Sequence, residues 1–375
     1  MRKNIAVALE IGSSKLKVAV AREGINNTLN IIDTDEVLYD GYYEGAFVDF
    51  EKLKSSLIKL FDEIDYKKKR YNKKLYVGLP AEFVGVEVVK ADVNFDGYKK
   101  IRKQDIEGLF AEAASKLEGE GIEIISTSAI TYYTDDGGRI LYDPLGKKAK
   151  QLSADVSVVI AEKDTIVKLN QIFEDLEFTE VEYVCETLTQ ATSIISKEER
   201  EHECLLIDVG HLSTSISFIK GDGLLSLVAY SLGGGHITGD LCETFNISYQ
   251  EAEKLKSQMV ISVKAGRQAC YDLVTPRGVE RINLMDANNV AIDRVAEIGR
   301  AINSCVINHS PEFISFLPTY LTGLGLTKLK GAKDYLSKCI ARNIIIAMPD
   351  KPGQDKPENT AIFSILDYAL KNSKK

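Results

Sequence analysis

The feature that most constrains the fold of this 375-residue chain is a strand–acid–glycine pattern that occurs twice, at half-chain distance. In the first copy, Glu10 and Gly12 lie between two apolar runs, and in the second copy Asp208 and Gly210 do. Each copy has the pattern of two strands joined by a short polar turn, and one such match arises easily by chance. Two matched copies predict two related α/β domains that face each other.

The two turns contain the residue types that bind phosphate. Glycine lets backbone N–H groups come close to an anion, and small hydroxyl side chains add donors. The acid before each glycine, Glu10 or Asp208, is suited to hold Mg²⁺ directly or through water. Either turn alone is an ordinary hairpin with a polar tip, but the facing pair predicts a two-sided phosphate clamp. The predicted phosphate-binding residues are Gly12, Ser13, Ser14 and Lys15 in the first turn and Gly210, Ser213 and Thr214 in the second.

A run of three glycines and a helix with an acid–base pair follow the second hairpin. Gly233, Gly234 and Gly235 precede a helical pattern. A glycine-rich turn at a helix N-terminus suits an anion, although a flexible loop explains it equally well. Glu253 and Lys256 are three residues apart on the next predicted helix and share one face. They form either an exposed ion pair or a nucleoside site, with Glu253 on a ribose hydroxyl and Lys256 beside a base.

A last glycine turn ends a predicted strand that begins at Tyr320. Because they lack side chains, Gly323 and Gly325 leave room for a flat ring to approach the backbone closely. These two glycines therefore complete the predicted nucleoside site.

The order of helical and strand patterns predicts four units. A helix and several strands interrupt the first half, which indicates an inserted small α+β domain. The predicted units are residues 1–80 with 163–200 as the first core domain, 81–162 as the inserted domain, 201–232 with 306–375 as the second core domain, and 233–305 as its small subdomain.

The charge and cysteine content exclude several classes of protein. Lys and Arg number 47 against 55 Asp and Glu, and the formal net charge of −8 argues against a nucleic-acid-binding protein. The six cysteines have no CxxC spacing, which argues against a zinc ribbon or a disulfide scaffold and favours a reducing compartment. No uncharged apolar run approaches about 18 residues, and no secretory signal is recognised. We therefore expect a cytosolic protein without a membrane span.

The order of these elements resembles the actin-like nucleotide-binding fold and, within it, the FtsA family of bacterial cell-division proteins. The most specific stretch is Leu232–Asp240, followed by Ser248–Lys256. The segment from Asp208 to Gly210 is similar to the family's second phosphate loop, and Tyr183–Ser193, with Glu186, to its connecting helix. The resemblance covers nearly the whole chain and implies an α/β fold of two ribonuclease H-like core domains with an inserted small domain.

The resemblance also implies a ligand and a chemistry. ATP with Mg²⁺ is expected in the central cleft, with Glu10 and Asp208 at the metal. Asp208 and Glu186 are the expected catalytic residues, and Glu186 would orient the attacking water. At most a slow ATPase is expected.

Partners and location follow from the same resemblance. The family implies head-to-tail actin-like polymers that link the tubulin-like ring protein FtsZ to the membrane or to other division membrane proteins, at the cytoplasmic face of the cell membrane at the division site. Arg294 and Arg300 are the candidates to grip the acidic C-terminal tail of FtsZ. An ordinary solvated helix face is the alternative interpretation of these two arginines.

Five residues depart from the family pattern at the nucleotide site. Glu10 stands where Asp is usual, so its carboxylate reaches one methylene further. His211 and Leu212 replace glycines of the second loop, Ser215 replaces an acid, and Leu324 replaces a glycine of the adenosine turn. Each lost hydrogen bond costs roughly 0.5–1.5 kcal/mol, so we expect weakened nucleotide binding and no fast hydrolysis.

Two other functions of the same fold stay open. A PilM-like scaffold of pilus assembly, with weak or no ATPase activity, tolerates the lost glycines. A small-molecule kinase needs a catalytic acid or base aimed at a substrate hydroxyl, and the sequence offers no convincing candidate.

The apolar face from Ile362 to Leu370 is interpreted as a core helix, with membrane contact then indirect or weak; a surface-seeking helix is the alternative.

Overall fold

The structure is a computed structural model that describes residues 5–24, 28–39, 42–43, 45–64, 66, 71, 74–119, 121–135, 140–263, 266, 268–309, 317–349 and 356–372. Its strands are β1 Ile5–Ile11, β2 Lys15–Glu23, β3 Leu29–Leu38, β4 Tyr42–Tyr43, β5 Ala46–Phe47, β6 Lys74–Leu79, β7 Val84–Lys100, β8 Ile122–Thr134, β9 Lys148–Glu162, β10 Glu180–Cys185, β11 Cys204–Val209, β12 Thr214–Lys220, β13 Gly223–Tyr230, β14 Cys270–Thr275, β15 Gly278–Asn283, β16 Thr319–Thr322 and β17 Ile344–Ile346. Its α-helices are α1 Phe50–Glu63, α2 Lys103–Ser115, α3 Lys163–Asp175, α4 Glu186–Ile194, α5 Lys197–Arg200, α6 Gly234–Phe245, α7 Tyr249–Gln258, α8 Leu284–His309, α9 Leu324–Thr327, α10 Ala332–Cys339 and α11 Thr360–Asn372.

Two five-stranded sheets with equivalent strand orders form the core. The order is β10-β6-β1-β2-β3 in the first sheet and β17-β16-β11-β12-β13 in the second. In each sheet three antiparallel strands come first in sequence, and two later strands pair in parallel beside the first of them. β1 and β11 therefore hold the same position, so the repeated hairpin predicted from the sequence is part of a repeat of whole sheets.

The central strands are apolar on both faces because helices cover both sides of each sheet. In β1, Val7 and Leu9 pack into a core that contains residues of α1 and α3. Ala6 and Ala8 point the other way and pack against α11. Alternate residues of one strand therefore belong to two different cores.

The helix that follows the last strand of each sheet packs against the opposite sheet. α4 follows β10, but its Ala191 shares a core with Leu206 and Tyr320 of the second sheet. α11 follows β17, but its Ile365 is fully buried in a core with Ala8 of the first sheet. The predicted segments 163–200 and 306–375 thus each contribute a helix to the other half.

The inserted segment forms a three-stranded sheet, β7-β9-β8, with α2 packed on one face. It contacts the turn between β12 and β13 of the second sheet. The N–H of Leu224 donates to Ser157 Oγ at 3.1 Å. Gly221 has a φ of +61°, and an added Cβ would lie 2.2 Å from the carbonyl oxygen of Ile130. The inserted sheet is therefore held tightly against the second half.

Helices α6, α7 and α8 and the hairpin β14–β15 share one core with the second sheet, to which Ile237, Leu255, Leu273 and Ile298 contribute. The C-terminal helix α11 buries Ile362, Leu366 and Leu370, which confirms its prediction as a core helix. Among the described helices, none combines the length and the apolar character needed to cross a membrane.

Candidate functional site

A cavity of about 350 Å³ lies at the ends of β1 and β11, where the two hairpin turns face each other. Residues of both halves line it. The predicted site residues on its wall are Glu10, Gly12, Ser13, Ser14, Lys15, Glu186, Asp208, Gly210, Ser213 and Gly323. The predicted site residues that do not line it are Thr214, Gly233, Gly234, Gly235, Glu253, Lys256 and Gly325.

The two hairpin turns have the same backbone geometry. The N–H of Gly12 donates to the carbonyl of Lys15 at 2.9 Å, and the N–H of Gly210 donates to the carbonyl of Ser213 at 2.8 Å. A Cβ on Gly12 would lie 2.9 Å from that Lys15 oxygen, so a larger residue strains the turn. Local sequence thus determines both turns.

The tips of the two turns touch. The backbone N–H of Leu212 donates to Ser13 Oγ at 3.1 Å, which joins the first half of the chain directly to the second. The N–H of Leu212 is a donor that a bound phosphate would otherwise use, whereas Ser13 Oγ is the acceptor of this bond. The two hairpins therefore close on each other at this point.

Six acidic side chains line the cavity, and two of them, Glu186 and Asp208, have a raised pKa. Burial raises the pKa of Glu186 well above its usual value, and the charges of Glu10, Asp208 and Glu82 add to the effect. Burial also raises the pKa of Asp208 to about 6, although Gln190 Nε2 donates to Asp208 Oδ2 at 2.8 Å and opposes the shift. The cluster therefore favours binding of a cation or a proton.

Lys17 is a cation that the structure places among these acids. Its Nζ lies 3.2 Å from Glu10 Oε1 and donates to the carbonyl of Glu358 at 2.8 Å. Burial opposes the charged form, but the charge and hydrogen bond of Glu10, together with the charges of Glu36 and Glu186, outweigh it and raise the pKa of Lys17. Lys15, the predicted phosphate ligand, instead forms an ion pair with Glu36 at the edge of the cavity.

Sequence reasoning missed Lys17, Glu82 and Gln190, which all line the cavity. Lys17 is the direct cross-strand partner of Glu10, and a tight turn at Gly12 already predicts that pairing. Gln190 lies one helical turn after Glu186 on α4, so the spacing places it on the same face. Glu82 follows β6 in a short 3₁₀ helix, and its position has no comparable local signal.

The donor set fits a magnesium ion bound together with phosphate. Mg²⁺ uses one or two carboxylates and keeps several waters, and Glu10 and Asp208 both line the cavity. Glu82 Oε1 and Gln190 Oε1 are buried without a hydrogen-bond partner among the described atoms, so they have free acceptor capacity there. In the described part of the chain no three acidic, histidine or cysteine groups form a preformed metal cage.

The three-glycine turn packs against the second hairpin. The N–H of Gly234 donates to the Gly210 carbonyl at 3.0 Å, and that of Gly235 to the His211 carbonyl at 2.6 Å. The N–H of Gly233 donates to His236 Nδ1 at 3.0 Å. The backbone donors that were predicted to bind an anion are therefore used within the protein.

The glycines allow three backbone segments to meet. A Cβ on Gly234 would lie 2.5 Å from the Cα of Gly325, and a Cβ on Gly325 would lie 2.3 Å from the Gly210 oxygen. Gly323 has a φ of +85°, and its Cβ would lie 2.1 Å from Asp208 Oδ1. The turns at 209–211, 233–235 and 323–325 are thus in direct contact.

Glu253 and Lys256 bind each other and the start of α6. Lys256 Nζ lies 2.5 Å from Glu253 Oε1, and it also donates to Thr238 Oγ1 at 2.6 Å and to the Gly234 carbonyl at 3.0 Å. Burial opposes ionisation of Glu253, but the hydrogen bonds from Lys256 and Thr238 dominate and lower its pKa. Glu253 and Lys256 therefore form the ion pair that was one of the two interpretations of this motif, but the pair is partly buried rather than exposed.

The two arginines proposed for a partner differ in their surroundings. Arg294 donates to both oxygens of Asp240 at 2.8 Å and to Glu297 at 2.6 Å. Arg300 is exposed on the same helix, α8, and no acid among the described residues forms an ion pair with it. Arg300 is therefore the more available of the two for an acidic ligand.

Comparison with known proteins supports a relation to one family. The family model described as "Cell division protein FtsA" matches residues 205–365. The cell division protein FtsA of Bacillus subtilis (strain 168) is 22% identical over 382 residues, covering 98% of this chain and 84% of that protein. FtsA of Enterococcus hirae is 24% identical over 371 residues, covering 97% and 82%. The resemblance found in the sequence is confirmed.

Solved structures with the same fold are actin-like proteins. A PilM–PilN type IV pilus biogenesis complex gives a TM-score of 0.61 at 19% identity, covering 97% of this chain and 98% of that one. MreB 5 of Spiroplasma citri bound to AMPPNP gives 0.60 at 13%, covering 100% and 98%. A MamK double helical filament gives 0.55 at 9%, covering 99% of both. The predicted fold class is confirmed.

Proposed function

We propose that this chain, an FtsA-like protein of the actin-like fold, is a cell-division adaptor that binds Mg-ATP between its two sheets and assembles head to tail. The observation that carries the proposal is the pair of hairpin turns with an equivalent backbone hydrogen bond, in contact through Ser13 and Leu212, at the wall of an acidic cavity. Two phosphate-type turns that meet across a cleft suit one ligand held from both sides.

The phosphate chain would lie between the turns. Ser13, Ser14 and Ser213 offer hydroxyl donors, and Lys15 and Lys17 offer positive charge. Mg²⁺, held by Glu10 and Asp208 with water, would neutralise the phosphate oxygens. The hydrogen bond from the Leu212 N–H to Ser13 Oγ must break so that this N–H can turn to phosphate.

The protein groups favour slow hydrolysis. Burial and the neighbouring acids raise the pKa of Glu186, so the ionised form that would accept a proton from water is disfavoured. Its proposed role is to orient water. Nucleotide therefore acts chiefly by stabilising the closed arrangement of the two halves, a population shift driven by differential affinity. The closed subunit is the one proposed to polymerise.

Thermal unfolding with and without Mg-ATP tests nucleotide binding. A ligand that binds only the native state raises stability by mass action, so the midpoint is expected to rise by several degrees. Asp208→Ala is expected to abolish the rise, because it removes the metal and water ligand. Asp272→Ala, a change at a carboxylate on the exposed face of β14, is the control and should respond like the parent protein. An unchanged response of Asp208→Ala would show that the site is misplaced.

Arg300 and Arg294 of α8 are proposed to contact the acidic C-terminal tail of FtsZ, with Arg300 as the stronger contact. Arg294 would act mainly by holding α8 to Asp240. Fluorescence anisotropy with a labelled tail peptide is expected to lose more affinity for Arg300→Ala than for Lys254→Ala, a control on α7. Equal affinity of all three proteins would contradict the assignment.

Filament formation and location complete the proposal. We infer action at the cytoplasmic face of the membrane at the division site; α11 itself does not supply the membrane contact, since its apolar face is buried. Sedimentation with Mg-ATP and lipid vesicles is expected to pellet polymers. Absence of polymer, tail binding and nucleotide binding together would favour the PilM-like scaffold instead.

A further inference from the structure

We propose that His211 and Tyr249 form a gate over the nucleoside end of the cleft, so that the closed protein accepts a metal-bound polyphosphate and admits a nucleoside only after the pair separates. The proposal rests on the proposed nucleotide site. The gate consists of the imidazole of His211, in the second hairpin turn, and the phenol of Tyr249, at the first residue of α7.

The two side chains are in direct contact. Tyr249 OH and His211 Nε2 form a hydrogen bond of 2.9 Å, and their rings meet edge to face with centroids 6.2 Å apart. Burial and the nearby charge of Lys256 lower the pKa of His211, so the imidazole is neutral at pH 7. Burial and the charge of Glu253 raise the pKa of Tyr249 to about 12. The contact is therefore one between neutral partners.

Through Tyr249, the cavity-wall residue His211 is bonded to α7, the helix that carries the predicted nucleoside residues. His211 and Leu324 lie on the cavity wall, whereas Glu253 and Lys256 do not. The ring of His211 lies over the three-glycine turn, since a Cβ on Gly235 would be 2.7 Å from its Nε2. His211 thus packs on the glycine turn beside the Glu253–Lys256 pair.

The open part of the cavity has the chemistry of a polyphosphate site. Hydroxyls of Ser13 and Ser213 and the amines of Lys15 and Lys17 share it with the carboxylates of Glu10 and Asp208. A chain of phosphates with a divalent cation needs only these groups. A nucleoside also needs the His211–Tyr249 bond broken, which reduces its apparent affinity by the fraction of molecules in which the gate is open.

Isothermal titration calorimetry with two probes tests the gate. The probes are Mg-tripolyphosphate and Mg-ATP, and the proteins are the parent chain, Tyr249→Phe, His211→Ala and the control Tyr98→Phe. Tyr98 is an exposed tyrosine of β7 that does not line the cavity. Loss of one hydrogen bond is expected to raise the affinity for Mg-ATP about 3- to 10-fold in Tyr249→Phe. The affinity for Mg-tripolyphosphate should stay unchanged.

The possible results distinguish failure of the proposed gate from failure of the proposed nucleotide site. If Tyr249→Phe and His211→Ala bind Mg-ATP no better than the parent, or more weakly, the gate is wrong, because the two side chains then do not oppose the nucleoside. An equal gain for both probes also overturns it. If neither probe binds any protein, the proposed nucleotide site fails and the gate with it. Should His211→Ala unfold, Tyr249→Phe, which keeps the ring, decides the question alone.

Discussion

At the scale of single residues, acidic side chains outnumber basic ones around the cleft. Glu10, Glu82, Glu186 and Asp208 surround the cavity, and Lys17 is held among them by Glu10 and the Glu358 carbonyl. A raised carboxyl pKa means that the folded chain binds protons more tightly than the unfolded chain. The stability from such a group is fully present below its unfolded pKa and is lost as the pH rises through its folded pKa.

The substitution Asp208→Asn is expected to remove this pH-dependent loss of folding stability at one carboxyl group. The pKa of Asp208 is raised from 3.8 to about 6, so the parent protein loses stability between these pH values. The variant cannot ionise and is expected to be more stable than the parent at pH 7.5, on the order of 3 kcal/mol. At pH 4 the difference should nearly disappear. Urea unfolding at both pH values measures it, and a variant less stable at pH 7.5 contradicts the assigned shift.

Lys17→Met and Lys15→Met form a matched pair. The side chains of Lys17 and Glu10 are 18% and 12% exposed, whereas those of Lys15 and Glu36 are 35% and 49% exposed. Loss of Lys17 leaves a poorly hydrated carboxylate without its cation and is expected to cost about 2–4 kcal/mol. Loss of Lys15 should cost less than about 1 kcal/mol. Equal costs in chemical unfolding would mean that Lys17 does not neutralise the cluster.

Close backbone contact between turns determines the cleft at the scale of elements. The two hairpins could be predicted because strand, acid and glycine are local in sequence. The use of the Gly233–Gly235 amides could not, since their partners at Gly210 and His211 come from another turn. The pairing of Lys17 with Glu10 could be predicted only in part, because it follows once the turn at Gly12 is known.

Gly234→Ala and Gly239→Ala separate packing from helix propensity, since both glycines belong to α6. A Cβ at Gly234 would lie 2.5 Å from the Gly325 backbone, whereas one at Gly239 meets nothing within 4 Å. Gly234→Ala is expected to destabilise the fold by about 2 kcal/mol or more. Gly239→Ala should be neutral or stabilise by about 0.5–1 kcal/mol. Thermal unfolding checks both values, and similar midpoints would refute the close contact of the turns.

At the scale of the whole molecule, the two halves form one unit because α4 packs against the second sheet and α11 packs against the first. The sequence predicts the apolar face of α11, and the family resemblance implies α4, but neither shows which sheet each helix covers, because that choice depends on contacts between distant segments. Ile365 of α11 covers Ala8 of β1, and Ala191 of α4 covers Leu206 of β11. Neither sheet therefore has a complete core from its own half.

A fragment of residues 1–200 is accordingly expected not to fold. It lacks α11, so the face of the first sheet formed by Ala6, Ala8 and Tyr76 would be exposed to water. Circular dichroism should show only partial secondary structure, and binding of a hydrophobic dye should show exposed apolar surface. Co-expression with residues 201–375 is expected to restore a soluble complex. A fragment 1–200 that unfolds cooperatively by itself would contradict the exchange of helices between the two halves.

The bond between the Leu212 amide and Ser13 also has a kinetic consequence. A ligand that enters between these tips must wait for them to part, so the encounter has two steps rather than one. At high ligand concentration the observed association rate would then level off at the opening rate, instead of rising in proportion to concentration.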